Sequence, residues 1–385
     1  MGQRRRALRA LCLTQITSWG ILYYAFPVLS SGITADTGWS AGATTGAFSL
    51  ALIVSGLTGI LVGRVVDRRG PRALMTAGSV LGCASLVVIA AARTPGVFFL
   101  GWAFAGVAMA STFYPPAFAA VTRWWAPDHV RALTLVTLAG GLASTVFAPL
   151  TAALSDRMSW RGTYLVLAAL LAVVTIPAHA IALKPEWPTA PVPPGEGNST
   201  GASAVARSRR FRMLALSSTL SAFAAFSVVV ALVPLLVARG FSLTEAAWAL
   251  GLGGAGQTLG RTLYAGLARR TGPSARLTAL IALSALATAA LSLLPGPYAL
   301  LVALSVAAGM ARGNLTLAQA TAVTERWGTT HYGRLSGLLG VLPAVAGALA
   351  PFAGAALAGP LGGYPRLFAL LAVVAACGAV AATRT

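Results

Sequence analysis

Long apolar runs without a charged residue are the feature that most constrains this chain. Residues 74–92, 277–294 and 367–382 contain no Asp, Glu, Lys or Arg. A helix rises about 1.5 Å per residue, so roughly 20 such residues cross a bilayer core of about 30 Å. Charged residues make up only 9% of the chain and hydrophobic ones 57%, which leaves too little charge to cover the surface of a water-soluble protein. The sequence therefore predicts an all-α membrane protein.

The apolar pattern predicts twelve transmembrane helices. A β-barrel is excluded because no period-2 alternation is present. Positive charge is concentrated in alternate connections, with 21 basic residues on one side against 5 on the other. The positive-inside rule then places both termini in the cytoplasm of a plasma-membrane protein. The predicted spans are 9–33, 41–64, 73–92, 97–121, 132–154, 162–183, 213–237, 244–267, 277–294, 298–322, 336–358 and 366–382.

The high positive charge does not indicate a nucleic-acid partner. The net charge is +20, but the arginines flank apolar spans instead of clustering on one soluble face. The three cysteines lie inside apolar runs without metal-ligand spacing. No nucleotide-binding loop or nucleophile triad is recognisable in the sequence. We therefore predict a lipid-embedded monomer that is not an enzyme and holds no cofactor or metal.

One long connection divides the chain into two halves. Residues 184–212 are rich in proline, glycine and serine over much of their length, which predicts a flexible cytoplasmic linker. The N-terminal six-helix half is then 1–183 and the C-terminal six-helix half is 213–385.

Short motifs recur in both halves at a nearly constant offset. GRVVDRRG ends at Gly70 and AGLARRTG ends at Gly272, 202 residues later, and GWS at 38–40 is followed by GFS at 240–242. The pair Arg-Trp at 123–124 returns at 326–327. We predict an internal parallel repeat of a six-helix unit, an arrangement typical of transporters.

The stretch GRVVDRRGPR at 63–72 forms the predicted cytoplasmic turn between the second and third spans. Gly63 would allow close approach of another helix, and Gly70 permits the backbone turn. Asp67 can accept hydrogen bonds from helix N-terminal amides or from an arginine of the other half. We predict a gate that opens when the halves move; the alternative is that the arginines only enforce orientation. The predicted gating residues are Gly63, Asp67, Arg68, Gly70 and Arg72.

Two arginines lie inside predicted spans. A charged side chain at the bilayer centre costs about 2.5–3.5 kcal/mol on insertion scales, so it indicates a functional site. Arg312 lies near the middle of the tenth span, and Arg261 lies off-centre in the eighth. The alternatives are a structural hydrogen bond to helix carbonyls for Arg312 and snorkelling to the interface for Arg261. Gln257 is one helical turn before Arg261, and Asn314 follows Arg312 closely.

Polar and aromatic residues in the first half extend this predicted cavity. Gln15, Trp19 and Tyr23 are spaced four apart and form one stripe on the first span, although packing would explain the aromatic rings equally well. Pro115 and Pro116 predict a kink in the fourth span. The predicted substrate-binding residues of both halves are Arg312, Arg261, Gln257, Asn314, Gln15 and Tyr23.

No carboxylate lies deep in any predicted span, and His179, late in the sixth span, is the one intramembrane alternative for carrying a proton. A cavity with two positive charges and no negative one favours an anionic small-molecule substrate. Coupling would then use anion exchange with a counter-anion, or symport with H+.

The turn at 63–72 resembles the signature loop of the major facilitator superfamily. Residues 123–150, with a basic loop, a small-residue helix and Pro149, are similar to the monocarboxylate-transporter-like branch, as is SWRGTYLVL at 159–167. The spacing of Arg261 from Arg269 is similar to that of an arginine which pairs with substrate carboxylate in this branch. Gln257 replaces the acid often found there, and the eleventh span has no lysine.

The resemblance implies secondary active transport of a small organic anion, a carboxylate, by alternating access. A multidrug or metabolite efflux exporter of the same superfamily is the alternative. A transport-derived sensor or structural membrane protein is a third.

Overall fold

The computed structural model describes residues 2–125, 129–184, 186–187, 199–328 and 332–385. Within these ranges all regular secondary structure is helical, which confirms the predicted fold class for this part of the chain. The chain divides into two compact units, Met1–Ala190 with Phe241–Gly251, and Pro191–Gly240 with Leu252–Thr385. The predicted boundaries at 183 and 213 remain a prediction.

The first unit contains nine helices in its described residues before 190, together with two π-helical turns, Gly20–Tyr24 and Ala178–Ala182. The helices are α1 Gly2–Trp19, α2 Ala25–Thr37, α3 Ala41–Arg69, α4 Pro71–Ala91, α5 Pro95–Thr112, α6 Tyr114–Trp124, α7 His129–Gly141, α8 Ala143–Ser155 and α9 Trp160–Pro177. Three of these helices, α3, α5 and α9, begin at a residue whose side chain caps the first turn. The Ser40 hydroxyl, for example, accepts a hydrogen bond from the Ala43 amide, and the Ser159 hydroxyl accepts one from the Gly162 amide.

The second unit holds the remaining described helices, except that the beginning of α12 groups with the first unit. Within the first unit, the Thr145 hydroxyl donates to the carbonyl of Gly251 in α12 at 2.8 Å. The helices are α10 Ser199–Arg207, α11 Arg209–Ala238, α12 Leu243–Arg270, α13 Pro273–Leu293, α14 Tyr298–Thr321, α15 Thr324–Trp327, α16 Tyr332–Ala358 and α17 Tyr364–Ala382.

Ten helical stretches of the described residues are long and apolar enough to cross a membrane. They coincide with ten of the predicted spans, so this is a multi-pass membrane protein. The predicted spans 9–33 and 244–267 also fall on helical segments, but not among the ten. The first is preceded by several arginines and interrupted by the π-helical turn. The second is rich in glycine and carries Gln257 and Arg261, which lowers its apolar content.

The predicted linker 184–212 differs from expectation over its second part. Residue 185 and residues 188–198 lie outside the described part of the chain. From residue 199 the chain is helical, forming α10 and then the beginning of α11. Alanines at 202, 204 and 206 favour this helix, and Val205 and Ala206 pack against the buried cluster around Phe211. Partial burial of these two side chains explains why a segment expected to be flexible is helical.

Equivalent turns recur along the chain in both sequence halves. The helices α4 and α13 both begin at a proline, Pro71 and Pro273, and both contain 21 residues. Gly38 and Gly240 both follow a helix with positive φ angles of 69° and 89°, a conformation that glycine adopts at little cost.

Helices in the second unit pack with direct backbone contact between α12 and α14. A Cβ atom added to Gly309 would lie 1.9 Å from the Gly253 carbonyl oxygen, and one added to Gly313 would lie 2.1 Å from that of Gln257. On α12, a Cβ at Gly256 would lie 2.4 Å from the Val306 oxygen. Small residues at such contacts are characteristic of membrane helices, which gain their association energy from close packing.

An ion pair near the end of α2 joins it to the beginning of α9. The carboxylate of Asp36 accepts hydrogen bonds from Trp160 Nε1 at 2.9 Å and from the Arg161 guanidinium. Arg161 also donates to the Ala92 carbonyl at 3.1 Å. The hydrogen bond from Trp160, followed by that from Arg161, lowers the pKa of Asp36 below its ordinary value of 3.8.

The lowered pKa of Asp36 predicts a pH-dependent contribution to stability. Because the folded state favours the carboxylate, the contribution is full above the unfolded-state pKa and is lost as the pH falls through the folded-state value. We expect Asp36→Asn to lower the melting temperature at pH 7, with a smaller difference at pH 3. The check is thermal unfolding of both proteins in detergent at the two pH values. An equal difference at both would contradict the prediction.

Candidate functional site

The second unit brings two of the predicted site residues into contact. Arg312 on α14 donates from Nε to Gln257 Oε1 on α12, at 3.3 Å. The glycine contacts between these helices allow the approach, because the two backbones touch at Gly309 and Gly313 on either side of Arg312. The Gln257 side chain is buried with 9% of its surface exposed, and Arg312 is half-buried. The result is a cationic group held by an amide within the membrane-spanning region.

Arg261 and Asn314 lie next to this contact on the same two helices. Arg261 is buried with 8% of its surface exposed, one turn along α12 from Gln257. Asn314 Nδ2 donates to the Met310 carbonyl of its own helix at 2.9 Å and lies against Gly260. The structure therefore gathers the four residues predicted for the second half along one helix pair. Two of the four are arginines.

Gln15 and Tyr23 occupy separate surroundings in the first unit. Gln15 is fully buried and donates from Nε2 to the Thr112 carbonyl at 2.7 Å. This carbonyl stands where α5 ends, before the kink that Pro115 and Pro116 predicted and that the structure confirms. Tyr23 is also buried and lies among the rings of Trp19, Tyr24 and Phe48. The sequence indicated the stripe of Gln15, Trp19 and Tyr23, but not the rings of Tyr24 and Phe48 that Tyr23 contacts.

The turn at 63–72 adopts the expected backbone at Gly70 but not the expected packing at Gly63. Gly70 has φ +76°, the left-handed region that favours glycine. The prediction that Gly63 allows close helix approach is wrong, because no described residue comes within 4 Å of a Cβ built there. Helix α3 is instead approached closely at Ala51, where a Cβ on Gly106 would lie 2.3 Å from the carbonyl oxygen. Arg68 is exposed at the turn.

Asp67 has partners in its own unit that the sequence did not identify. Its carboxylate accepts from Arg123 NH2 at 2.6 Å, at the end of α6. The Arg123 guanidinium also lies over the indole of Trp187, 4.5 Å from the ring centroid. Trp187 Nε1 in turn donates to the backbone carbonyl of Asp67 at 3.0 Å, and its ring packs on Gly70. The recurrence of Arg123-Trp124 as Arg326-Trp327 was the sequence signal that could have pointed to Arg123 as a partner. Nothing in the sequence indicated Trp187.

Arg72 joins the same turn to the π-helical turn Ala178–Ala182. Its Nε donates to the Ala180 carbonyl at 2.8 Å. In the same turn, the fully buried His179 lies with Nδ1 at 2.8 Å from the Ser79 hydroxyl of α4. These contacts fix the C-terminal end of the sixth predicted span to α4. They give His179 a packing and hydrogen-bonding role beside the proton-carrying one considered from the sequence.

The second unit has its own ion pair at the corresponding turn. Arg276, near the beginning of α13, pairs with Glu325 of α15 and also donates to the Thr271 carbonyl at 3.0 Å. Its guanidinium lies 5.3 Å from the ring centroid of Tyr264. The Arg276 side chain is 3% exposed, whereas Asp67 in the first unit is 60% exposed. In the second unit the residue at the turn is the base, Arg276, whereas in the first unit it is the acid, Asp67.

Metal-binding groups are not apparent at these positions. In the ranges that the structure describes, no three His, Cys, Asp or Glu side chains are grouped as they would be around a metal ion.

Comparisons with known proteins give relatives that match parts of the chain. The transcription regulatory protein OpdE of Pseudomonas aeruginosa is 29% identical over 167 residues, covering 41% of this chain and 40% of that protein. An uncharacterized 38 kDa protein in the 23S RNA operon of Thermoproteus tenax is 31% identical over 109 residues, covering 28% and 29%. The chain thus aligns with less than half of the length of these relatives.

Solved structures with the same fold cover nearly the whole chain. The nucleoside transporter NupG is similar with a TM-score of 0.79 and 16% identity, covering 99% of this chain and 98% of that one. A bacterial homologue of the human lysosomal transporter Spinster, inward-facing and occupied, has a TM-score of 0.77 and 16% identity, covering 99% and 96%. The family model of the Major Facilitator Superfamily matches residues 11–351. The chain therefore belongs to the Major Facilitator Superfamily, as a membrane transporter and not an enzyme.

Proposed function

We propose that this protein is a secondary active transporter that moves a small organic anion, a carboxylate, by alternating access. It would lie in the plasma membrane as twelve spans in two parallel six-helix halves, with both termini in the cytoplasm. The matching helix starts at Pro71 and Pro273 and the left-handed glycines Gly38 and Gly240 support the repeat. The similarity of residues 123–150 to the monocarboxylate-transporter-like branch supports the substrate class.

The hydrogen bond between Arg312 and Gln257 is the observation that carries the proposal. It holds one guanidinium through a neutral amide, and no carboxylate of the residues that the structure describes forms an ion pair with that guanidinium. Arg261 adds a second buried cation one turn away on α12. Placing charge in a membrane-spanning region is costly, and a bound carboxylate would offset that cost through bidentate, charge-assisted hydrogen bonds. Coupling would then use H+ or a counter-anion.

We expect Arg312→Gln to abolish stabilisation by carboxylates. The purified protein is unfolded by heat with acetate, lactate or succinate, and with tetraphenylphosphonium as a cationic probe. Carboxylates should raise the melting temperature of the wild type, because they bind the folded state, but not that of Arg312→Gln. Arg270→Gln is the control, since it removes the same charge from an exposed position on α12. Equal stabilisation of wild type and Arg312→Gln by carboxylates would contradict the proposal.

We further propose that the turn at 63–72 is a cytoplasmic gate, with Asp67, Arg123 and Trp187 holding one of its conformations. We expect Asp67→Asn to slow transport several-fold in proteoliposomes while changing substrate affinity little, since the turn is remote in sequence from the binding residues. Arg69→Gln, at an exposed position in the same turn, should transport at the wild-type rate. A large loss of affinity with normal turnover in Asp67→Asn would argue against the gate.

Two alternatives have specific support. An exporter of amphiphiles would be favoured by the aromatic rings around Trp19 and would show stabilisation by the cationic probe in both wild type and Arg312→Gln. A transport-derived sensor is favoured by the relative whose name is a transcription regulatory protein. It would bind its ligand without moving it, so an uptake assay in proteoliposomes separates it from a transporter.

A further inference from the structure

Two clusters of aromatic side chains in the first unit differ in how far they are buried. The first is packed core, with Phe26, Phe48 and Trp102 fully buried against one another. The second surrounds Trp19, whose indole stacks on Phe113 with centroids 3.9 Å apart and an interplanar angle of 16°. Trp19 and Tyr114 in this second cluster are only half-buried. The residues Trp19 and Tyr114 therefore retain some accessible surface, unlike those of the core cluster.

The Trp19 cluster lies where three predicted spans are interrupted. Trp19 directly precedes the π-helical turn Gly20–Tyr24, and Phe113 is the extended residue between α5 and α6. The fifth span is interrupted at Leu142, between α7 and α8. A Cβ on Gly140 would lie 2.3 Å from the Tyr114 hydroxyl, so this interruption adjoins the same cluster. Discontinuous helices commonly form the substrate sites of secondary transporters.

Two buried polar atoms at this cluster have no hydrogen-bond partner among the described residues. One is Gln15 Oε1, an acceptor on a side chain that is 0% exposed, and the other is Trp19 Nε1, a donor. They lie one helical turn apart, on the same face. A buried polar group without a hydrogen-bond partner destabilises the folded state. A patch that served only for packing or for contact with lipid would not need either group.

We propose that the Trp19 cluster of the first unit is a subsite for a planar, conjugated ring of a transported small molecule. The ring would stack against the half-buried Trp19 and Tyr114. A shift of these side chains on binding would let polar atoms at the edge of the ring reach Gln15 Oε1 and Trp19 Nε1, which are buried in this structure. This inference rests on the proposed function, because it takes the ring to belong to a transported molecule. Aromatic pairs gain about 0.5–1.5 kcal/mol beyond their buried area. A planar ring should therefore bind roughly three- to tenfold more tightly than a saturated ring of the same size.

Four probes separate the ring from the charge. Benzoate, cyclohexanecarboxylate, benzamide and cyclohexanecarboxamide are titrated into the purified full-length protein, and Kd is measured by calorimetry. Benzoate should bind about three- to tenfold more tightly than cyclohexanecarboxylate, and Trp19→Leu should remove that difference. Trp19→Phe should retain it, since a ring remains. The control is Trp39→Leu, which should leave the preference for benzoate unchanged. Trp39 lies between α2 and α3, and its ring packs on Phe98 of α5.

The outcomes test the ring and the charge independently. Equal affinity for benzoate and cyclohexanecarboxylate, or a ring preference that survives in Trp19→Leu, overturns the subsite. If carboxylates bind no more tightly than the matching carboxamides, the anion proposal is overturned. The ring can still be tested in that case, by comparing the affinities of benzamide and cyclohexanecarboxamide. Should Trp19→Leu fail to fold, Tyr114→Leu takes its place, because its ring lies 5.2 Å from that of Trp19. A ring preference that persists in Tyr114→Leu would then overturn the subsite.

Discussion

Replacement of Gly309 by alanine is expected to lower the free energy of unfolding by about 3 kcal/mol or more. The new Cβ would lie 1.9 Å from the Gly253 carbonyl oxygen and 3.1 Å from the Gln257 amide nitrogen. Both atoms belong to backbone, which cannot rotate away as a flexible side chain would. The helices α12 and α14 must therefore separate, and the close contacts at Gly256 and Gly313 weaken with them.

The measurement is thermal unfolding in detergent together with the fraction of monodisperse protein after purification. Gly266→Ala is the matched control on α12, since no described atom lies within 4 Å of a Cβ at that position. Alanine favours the helix over glycine by about 0.5–1 kcal/mol, so the control should be slightly more stable than the wild type. Wild-type stability in Gly309→Ala would show that α12 and α14 do not pack through their backbones.

Replacement of Arg276 by methionine should be the second large change, at about 3 kcal/mol of lost stability. Removal of one partner from a buried ion pair typically costs about 3–5 kcal/mol, because the other charge is left uncompensated. Arg276 is 3% exposed but its partner Glu325 is 26% exposed, so water reaches the carboxylate and we expect the lower end of this range. The loss also includes the hydrogen bond to the Thr271 carbonyl and the contact with the Tyr264 ring.

A comparison of the two ion pairs makes this prediction specific. Asp67→Asn in the first unit should cost about 1 kcal/mol or less, since the Asp67 side chain is 60% exposed and exposed pairs contribute little. Arg270→Met, at an exposed position close to Arg276 in the chain, should change stability by about 0.5 kcal/mol at most. Chemical or thermal unfolding of the three variants provides the ranking. Similar losses for Arg276→Met and Asp67→Asn would show that burial does not decide the contribution.

The positions of most helices were predictable from the sequence because apolar runs and proline or glycine boundaries are local signals. The predicted spans 73–92 and 277–294 agree with α4 and α13 to within four residues. The kink at Pro115 and the left-handed Gly70 were equally local. The π-helical turn Gly20–Tyr24 was not predictable, because no residue type marks it.

The candidate site was predictable in composition and less so in its contacts. Arg312, Gln257 and Asn314 could be predicted as site residues because polar side chains are rare in membrane spans. The direct hydrogen bond from Arg312 to Gln257 depends on the separation of α12 and α14, which tertiary packing sets. The role of Trp187 depends on the chain returning to the turn that contains Asp67, 120 residues earlier. The wrong prediction for Gly63 has the same origin, since a glycine pattern does not say which helix face meets a neighbour.

The reversed sign of the two ion pairs has a consequence for folding fidelity. Duplicated segments in one chain are prone to misassembly in which an element of one copy docks on the other. A misassembly that placed each turn beside the partner of the other would bring Asp67 towards Glu325 and Arg276 towards Arg123. Both contacts join like charges, which oppose the wrong partner as effectively as opposite charges favour the right one. The opposite charges of Asp67 and Arg276 thus disfavour an exchange of partners between the two turns.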